Sequence, residues 1–328
     1  MASDKKSSLL YILQILKENT DENHLMTYQM IVDKLYDNYG VVIERKTIAS
    51  NIDILDDFGY DIVKCGKNGL YLGVRDFEEG ELLFLIDAVY SSKSMPTKYA
   101  KDIVNRLTSS FSKFEKKRFN HLEKIDDGTR TDNREIFWTI EVLNDAIEQK
   151  KKVEFQYSAY GIDKKLAVKG DGKFYKINPY FMVNNRGKYY LVCNYEKYDD
   201  ISNYKIECIS NIKILDEEVK PIEQVSGTEN FSIKNYMKEH VYMVAGHSVD
   251  AEIEITNPQR VNDFVDWFGK DVDIREIDQK IVASFKVNEE SLIYWALQYG
   301  ESVEILKPEK TRNKIKEIIR NMLKKYSD

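Results

Sequence analysis

The stretch from residue 177 to residue 209 constrains the fold most, because short strand-like runs alternate in it with tight-turn residues. An apolar and aromatic run contains Pro179, and the segment Asn184-Asn185-Arg186-Gly187 then supplies turn chemistry, with Gly187 free to adopt positive φ. Residues 188–194 and 204–209 are two further β-rich runs. The pattern predicts three short antiparallel strands of a small sheet or barrel.

Aromatic and basic side chains are interleaved within this stretch. They are Tyr189, Tyr190, Tyr195 and Tyr204, with Arg186, Lys188 and Lys205. Such a mixture can stack a nucleic-acid base and hold a phosphate. It also fits a barrel whose core contains the tyrosines and whose lysines are solvated, and the residues alone favour this second interpretation.

The triplet Tyr189-Tyr190-Leu191, with Pro179 and an aliphatic strand before it, resembles the WYL domain, a family named for a Trp-Tyr-Leu triplet. The strand that follows in that family carries two arginines. Here it is Tyr204-Lys205-Ile206-Glu207-Cys208-Ile209, so Lys205 keeps the first positive charge and Cys208 replaces the second arginine. The resemblance extends upstream to residues 146–147 and 153–157.

This resemblance implies an SH3-like or Sm-like small β-barrel over residues 134–220. It also implies a sensor whose effector is a nucleic-acid fragment or a nucleotide-like anion. Stacking would come from Tyr157, Tyr189, Tyr190 and Tyr204. Lys205 would hold a phosphate, assisted by Arg186 and Lys188. The replacement of an arginine by Cys208 removes one contact that the family's ligand would make.

The first 74 residues show the pattern of three helices followed by a hairpin. Apolar residues at helical spacing predict an amphipathic helix over residues 7–17. A second helix should begin after Thr27, whose hydroxyl can cap it, and end at Gly40. Two short β-runs, residues 60–64 and 70–73, flank a glycine-containing turn at the end of this region.

A third predicted helix, residues 44–58, has its apolar residues Ile48, Ile52 and Leu55 at positions i, i+4 and i+7, and these should face inward. With the hairpin it makes a winged helix-turn-helix, and it resembles the recognition helix of bacterial regulators in which such a module precedes a WYL domain. The candidate DNA contacts are Arg45, Lys46, Thr47, Ser50 and Asn51, with Lys67 at the tip of the wing. The alternative is an ordinary three-helix packing module, which the surplus of acids over bases in residues 1–73 favours.

Residues 75–133 are predicted to form a helical linker or dimerisation region. Apolar periodicity indicates helices over residues 77–91 and 98–114. The apolar faces of these helices suit either a dimer interface or packing within the domain. Lys116, Lys117 and Arg118 are expected to be a solvated charge run. Polar turn formers over residues 126–133 indicate a linker.

The C-terminal third has its own pattern. Residues 221–248 are predicted to be a connector, and residues 249–328 follow the element order β-α-β-β-α-β-α, which is ferredoxin-like. This region resembles the WCX-type extension that often follows WYL domains. The whole chain is therefore expected to be a multidomain α+β protein.

Composition limits the classes of function. The chain has 328 residues, of which 42% are hydrophobic and 32% charged, and its net charge of −6 gives no general attraction to nucleic acid. The three cysteines are isolated in sequence, which favours a reducing compartment and no structural zinc. The N-terminal segment lacks the features of a signal peptide, and no apolar run is long enough to cross a bilayer. A cytoplasmic location is expected.

No catalytic motif emerges from the sequence. The four histidines are scattered, and neither a phosphate-binding glycine motif nor a nucleophile elbow occurs. We therefore expect no enzyme, no metal and no cofactor. The leading hypothesis is a homodimeric regulator that binds double-stranded operator DNA and senses a single-stranded nucleic acid or nucleotide. The alternatives are a non-regulatory protein that binds single-stranded DNA or RNA, and a constitutive repressor without a ligand.

Overall fold

The computed structural model describes residues 3–73, 75–119, 130–225, 228 and 231–327. For residues 3–6 it describes the backbone alone. The chain divides into two compact units, Met1–Arg130 and Thr131–Asp328. Among the described residues there are helices and three separate sheets, so the fold is of the mixed α+β kind. The finer domain boundaries that the sequence suggests stay a prediction.

The first unit begins with three helices and a hairpin. The helices are α1 (Ser3–Asn19), α2 (Tyr28–Tyr39) and α3 (Arg45–Asp57), and the hairpin strands are β1 (Ile62–Lys64) and β2 (Leu70–Leu72). Met26 forms an isolated antiparallel bridge with Leu70, which ties the segment before α2 to the hairpin. One apolar core joins all five elements.

Local sequence accounts for the limits of α2. The Thr27 side chain accepts a hydrogen bond from the Met30 amide, and Gly40 adopts a left-handed conformation with φ of 66° at the other end. Both predicted caps are therefore confirmed. Ile48, Ile52 and Leu55 are at most 3% exposed, so the predicted inward face of α3 is confirmed as well.

The second part of this unit contains α4 (Glu79–Ser91), α5 (Thr97–Leu107) and α6 (Lys113–Arg118). The prediction of one continuous helix over residues 98–114 was wrong. After α5 the chain makes a 3-10 turn at Thr108–Ser110, and Ser112 then starts α6.

The cause of this break is a new helix start. The Ser112 side chain accepts from the Glu115 amide, while the Glu115 carboxylate accepts from the Ser112 amide. This reciprocal capping box satisfies the free amides at the beginning of α6 and favours a separate helix.

Within the charge run Lys116-Lys117-Arg118, Arg118 forms an ion pair with Glu79 at 3.0 Å.

Packing within the unit accounts for part of the apolar stripes on α4 and α5. Leu82, Ile86, Val104, Phe111 and Phe119 form one buried cluster. Phe84 on α4 stays 74% exposed. That these helices form a dimer interface stays a prediction.

A buried arginine joins the helix-and-hairpin module to the second part of the first unit. The Arg75 guanidinium donates to the carbonyl oxygens of Lys17 (3.4 Å), Ser110 (3.0 Å) and Thr20. It also lies 3.3 Å from the Glu115 carboxylate, and its side chain is only 7% exposed. The Arg75 guanidinium therefore contacts both the end of α1 and the start of α6.

The second unit begins with α7 (Ile136–Glu148) and a sheet of six antiparallel strands. The strands are β3 (Lys151–Tyr160), β4 (Leu166–Val168), β5 (Phe174–Asn185), β6 (Lys188–Tyr195), β7 (Ile201–Lys205) and β8 (Ile209–Glu218). Their order is β4-β3-β5-β6-β7, and β8 pairs with β3. Arg186 and Gly187 both have positive φ, 51° and 76°, in the two-residue turn between β5 and β6. This conformation suits the right-handed twist of the strands.

The predicted strand over residues 204–209 was wrong in its second half. β7 ends at Lys205, and Ile206–Cys208 form a 3-10 turn before β8. The Asn133 side-chain amide donates to the carbonyl oxygens of Glu207 (3.0 Å) and Ile209 (2.9 Å). These tertiary hydrogen bonds occupy carbonyls that a strand would use for its ladder.

A short helix, α8 (Ile233–Glu239), leads to the last part of the chain. There β9 (Ser248–Ile255), α9 (Arg260–Phe268), β10 (Asp273–Ile277), β11 (Lys280–Asn288), α10 (Glu289–Tyr299), β12 (Val303–Lys307) and α11 (Glu309–Tyr326) follow in the predicted order. The antiparallel sheet has the order β10-β11-β9-β12. Trp295 is fully buried in its core.

Parts of two predicted connections lie outside the described residues. They are residues 126–129 of the linker and residues 226, 227, 229 and 230 of the connector. Within the described part of the chain, no helix is both long and apolar enough to pass through a bilayer. Across the same residues, no cluster of three or more His, Cys, Asp or Glu side chains is placed to hold a metal ion.

Candidate nucleic-acid interfaces

The first turns of α3 present polar and basic side chains to solvent. Arg45, Lys46, Thr47 and Ser50 are exposed, while Ile48 between them is fully buried. The buried residue fixes the helix on its core, and its exposed neighbours therefore share the outer surface. This surface has the donor chemistry that phosphates and base edges accept.

Asn51 is placed differently from the other predicted DNA contacts. It is half-buried, and its side-chain amide donates to the Ser8 hydroxyl of α1 at 3.2 Å. Lys67 is exposed in the 3-10 turn Gly66–Asn68, at the tip of the hairpin. The structure thus brings four of the six residues to one exposed helix face and leaves Lys67 on the wing.

The far end of α3 has the opposite charge. Asp53, Asp56 and Asp57 are exposed there, together with Ile54 (47%) and Phe58 (81%). Lys64 of the hairpin neutralises Asp53 at 2.7 Å. A polyanion would be attracted to the N-terminal half of the helix and repelled by its C-terminal end.

In the second unit, Tyr157 and Tyr204 belong to one aromatic cluster. Their ring centroids are 4.9 Å apart in an edge-to-face arrangement, and Phe155 lies 5.4 Å from Tyr204. Burial raises the pKa of both tyrosine hydroxyls well above the ordinary value, so both stay neutral. The Tyr157 hydroxyl accepts from the Lys205 amide at 3.3 Å.

Tyr190 does not join this cluster. It packs with Tyr180, Val192 and Tyr236 on a separate apolar cluster. Lys205 is directly opposite Tyr190 in the β6–β7 register, and its side chain is exposed. Tyr189 is half-buried and paired in register with Asn184 of β5. Because successive residues of a strand point to opposite faces, Tyr189 and Tyr190 cannot stack one ligand together.

The two cations predicted to assist have partners within the chain. Lys188 forms an ion pair of 2.6 Å with Glu207, whose carboxylate is buried. The Arg186 guanidinium lies 3.4 Å from the centre of the Trp267 ring and donates to the Asp266 carbonyl oxygen at 3.5 Å. The turn between β5 and β6 therefore contacts α9.

Cys208 occupies the position of the second family arginine and is 7% exposed. Burial raises the pKa of its thiol, so it stays a neutral thiol. The positive charge that the resemblance implies at this position is absent from residue 208.

The ligand residues predicted from the sequence do not include two members of the aromatic cluster, Tyr175 and Tyr195. Tyr175 on β5 is opposite Phe155 in the strand register, and Tyr195 on β6 is opposite Ile177. Tyr175 lies 6.1 Å from Tyr204 and 5.5 Å from Tyr195 between ring centroids. The signal that could have found them is the two-residue alternation that places Tyr175 and Ile177 on the same strand face.

Two family models match parts of the second unit. The family model for the WYL domain matches residues 139–214, and the family model for the WCX domain matches residues 247–323. The comparison with curated proteins found no match.

Two solved structures are similar over nearly the whole chain. One is proteasome accessory factor B/C (PafBC) of Arthrobacter aurescens, with 14% identity and a TM-score of 0.29, covering 98% of this chain and 49% of that one. The chain thus spans about half the length of PafBC. The other is a CRISPR Cas-related protein, with 15% identity and a TM-score of 0.40, covering 99% of this chain and 85% of that one.

Proposed function

We propose that the chain is a transcriptional regulator that binds operator DNA, because the family models for the WYL domain and, after it, the WCX domain match its second unit. In this proposal residues 1–74 act as a winged helix-turn-helix and the small barrel of residues 134–220 senses a nucleic-acid fragment or nucleotide. The C-terminal part is a ferredoxin-like domain, and the protein works in the cytoplasm as a homodimer without catalytic activity.

One observation carries the DNA-binding proposal. The exposed side chains of Arg45, Lys46 and Thr47 occupy the first turn of a helix whose opposite face is buried. A recognition helix in the major groove meets base edges with its N-terminal residues, and a wing can reach the adjacent backbone. Lys67 is exposed at the corresponding wing tip.

Regulation requires that the effector binds one conformation of the protein better than another. The contact of Arg186 with Trp267 supports a path by which the barrel and the C-terminal part influence each other, because it joins β5–β6 to α9. An effector that engages the barrel near this turn would change that contact. In the proposal, the resulting conformational change alters how the α3 helices of the two protomers are arranged relative to each other.

Selection of duplex fragments from a random-sequence library tests the proposal. We expect the full-length protein to enrich an inverted repeat, because a symmetric dimer reads two half-sites. Its affinity for the enriched duplex should fall steeply with salt concentration. Recovery of fragments without any common sequence, or affinity insensitive to salt, would contradict operator binding.

The acidic end of α3 favours a second candidate function. Exposed Ile54 and Phe58 among three carboxylates suit contact with a basic protein surface more than contact with DNA. Under this alternative the first unit mediates protein contacts and the barrel alone binds single-stranded nucleic acid. The same library selection separates the two, because the alternative yields no enriched duplex.

A further inference from the structure

An open groove of about 680 Å³ lies between α10, β12 and α11, and we name it the α11 groove. Its lining is mainly apolar. Leu297 of α10 and Val303 and Ile305 of β12 contribute to it, and α11 forms one wall. A cavity of this size lies within the range that bound ligands occupy. The apolar residues of the α11 wall are Ile315, Ile319, Met322, Leu323 and Tyr326.

The C-terminal half of α11 leaves its apolar side chains exposed. Ile315 packs against the core of this part of the chain, but every residue from Ile319 to the end of the helix is exposed. Leu323 is 66% and Tyr326 84% exposed. Ile315, Ile319, Met322 and Tyr326 are at positions i, i+4, i+7 and i+11, so they form one stripe about 16 Å long, at about 1.5 Å per residue. An exposed apolar stripe beside an apolar groove marks an interaction surface.

Positive charge accompanies this stripe. Helix α11 contains seven Lys and Arg residues and two Glu residues, in a chain whose net charge is −6. Lys316 and Arg320 line the groove one turn apart, and none of the carboxylates that the structure describes is within ion-pair distance of either. The other charged lining residues are Glu301 and the paired Arg312 and Glu304. The wall formed by α11 therefore offers two positive charges without an ion-pair partner beside apolar side chains.

The charges disfavour a second copy of α11 as the occupant of the groove. If two α11 helices packed stripe against stripe, Lys316 and Arg320 of one helix would lie near the same residues of the other. Like charges brought together in an interface destabilise it. The charge of the groove wall instead favours an occupant with carboxylates beside its apolar residues.

The shape of the surface disfavours a bilayer. A basic amphipathic helix is typical of proteins that bind a membrane surface, where its apolar face lies flat in the lipid. Here the first turn of α11 is fixed to the domain, because the buried Thr311 hydroxyl donates to the Glu289 carboxylate at 2.7 Å. The stripe that follows is one wall of a groove. An amphipathic helix can fill such a concave surface, whereas a flat lipid surface cannot.

We propose that the α11 groove binds an amphipathic helix of a partner protein, and that the polar face of this helix is acidic. Apolar residues of the partner, at positions i, i+4 and i+7, pack on Leu297, Val303 and the α11 stripe. Its carboxylates pair with Lys316 and Arg320 at the edge of the groove. The proposed duplex contact belongs to α3 in the first unit, so this inference stands or falls independently of operator binding.

Selection from a display library of random peptides of about sixteen residues, long enough for about four helical turns, tests the proposal. The immobilised target is the full chain. We expect the enriched peptides to carry apolar residues at helical spacing and a surplus of Asp and Glu. Enrichment of peptides without this surplus, or no enrichment at all, would overturn the proposal.

Charge reversal on the groove wall tests the electrostatic part with a fluorescein-labelled copy of the most enriched peptide. Lys316→Glu/Arg320→Glu should weaken its binding at least about tenfold, because like charges then face each other. The matched control is Lys310→Glu/Lys325→Glu, which changes the same charges on exposed residues of α11 that do not line the groove. The control should change affinity by less than about threefold, since exposed charges outside the contact are screened. Equal weakening in both variants would refute the site.

A second pair of variants tests the apolar part. Ile319→Gln/Leu323→Gln removes two exposed apolar side chains from the wall, so the fold should be retained and the circular dichroism spectrum unchanged. We expect peptide binding to weaken at least about tenfold, because apolar anchors supply most of the affinity of a docked helix. Ile162→Gln/Ile277→Gln, which removes two exposed isoleucines elsewhere in the second unit, should stay within about twofold of wild type. Unchanged binding in Ile319→Gln/Leu323→Gln would place the peptide outside the groove.

The same variant identifies any other occupant. Light scattering after size-exclusion chromatography should give Ile319→Gln/Leu323→Gln the same mass as wild type, and wild type should not sediment with phosphatidylglycerol vesicles. A lower mass for the variant would assign the groove to a second copy of the chain. Vesicle binding by wild type that the variant loses would assign it to a membrane. Either result would overturn the proposal of an acidic partner helix.

Discussion

Replacing both Arg45 and Lys46 with alanine is expected to weaken binding of the enriched duplex by about 100-fold at moderate salt. An arginine on a guanine edge contributes about 1–3 kcal/mol, and each phosphate contact adds about one to the salt slope. Both side chains are exposed on the first turn of α3, so their removal leaves the buried face of the helix intact. Fluorescence anisotropy at several salt concentrations measures both quantities.

Lys98→Ala/Lys101→Ala is the control for this pair. It also removes two exposed positive charges from the first unit, but on α5. If the duplex is read by α3, the control should change affinity by less than about threefold, because distant exposed charges are screened at physiological salt. Similar losses in the two variants would mean that duplex binding is a diffuse charge effect.

Arg75→Met is expected to destabilise the first unit by about 3–5 kcal/mol, the usual cost of breaking a buried charge pair. The substitution leaves the carbonyl oxygens of Lys17, Thr20 and Ser110 without their donor and leaves the Glu115 carboxylate without its cation. Methionine fills most of the volume, so the effect reports the lost polar contacts and not a cavity.

The positions of the tryptophans give this measurement an internal reference. Trp138, Trp267 and Trp295 all lie in the second unit, so tryptophan fluorescence follows that unit alone. In urea, Arg75→Met should lower the midpoint of the far-ultraviolet circular dichroism transition of the first unit and leave the fluorescence transition in place. Lys64→Ala, which removes an exposed ion pair with Asp53, should cost at most about 1 kcal/mol. Equal effects of Arg75→Met and Lys64→Ala would show that the buried arginine does not hold the first unit together.

Local patterns were sufficient for much of the fold. Ile48, Ile52 and Leu55 repeat at helical spacing and are buried, and Thr27 and Gly40 limit α2 through interactions within a few residues. Such features depend on neighbours in sequence, so a sequence pattern can reveal them. The 3-10 turn at Ile206–Cys208 could not be found this way, because the carbonyl oxygens of Glu207 within it and of Ile209 after it accept from Asn133, more than seventy residues away.

The candidate ligand site was predicted less well, for a related reason. Lys188 and Arg186 have the residue types that bind phosphate, yet their partners Glu207 and Trp267 are assigned only by tertiary structure. The resemblance led to Tyr157 and Tyr204, which do lie together. Tyr175 on β5 joins them only through the pairing of β5 with β3.

In the proposed regulator, the outer surface of the first turns of α3 lies against duplex DNA. The most direct measurement places a photo-crosslinking amino acid at position 47, and a second one at exposed position 87 on α4 as a control, and irradiates each protein with the enriched duplex. We expect efficient crosslinks from position 47 to bases within the inverted repeat and none from position 87. Crosslinks from position 87 alone, or from neither position while the duplex stays bound, would contradict it.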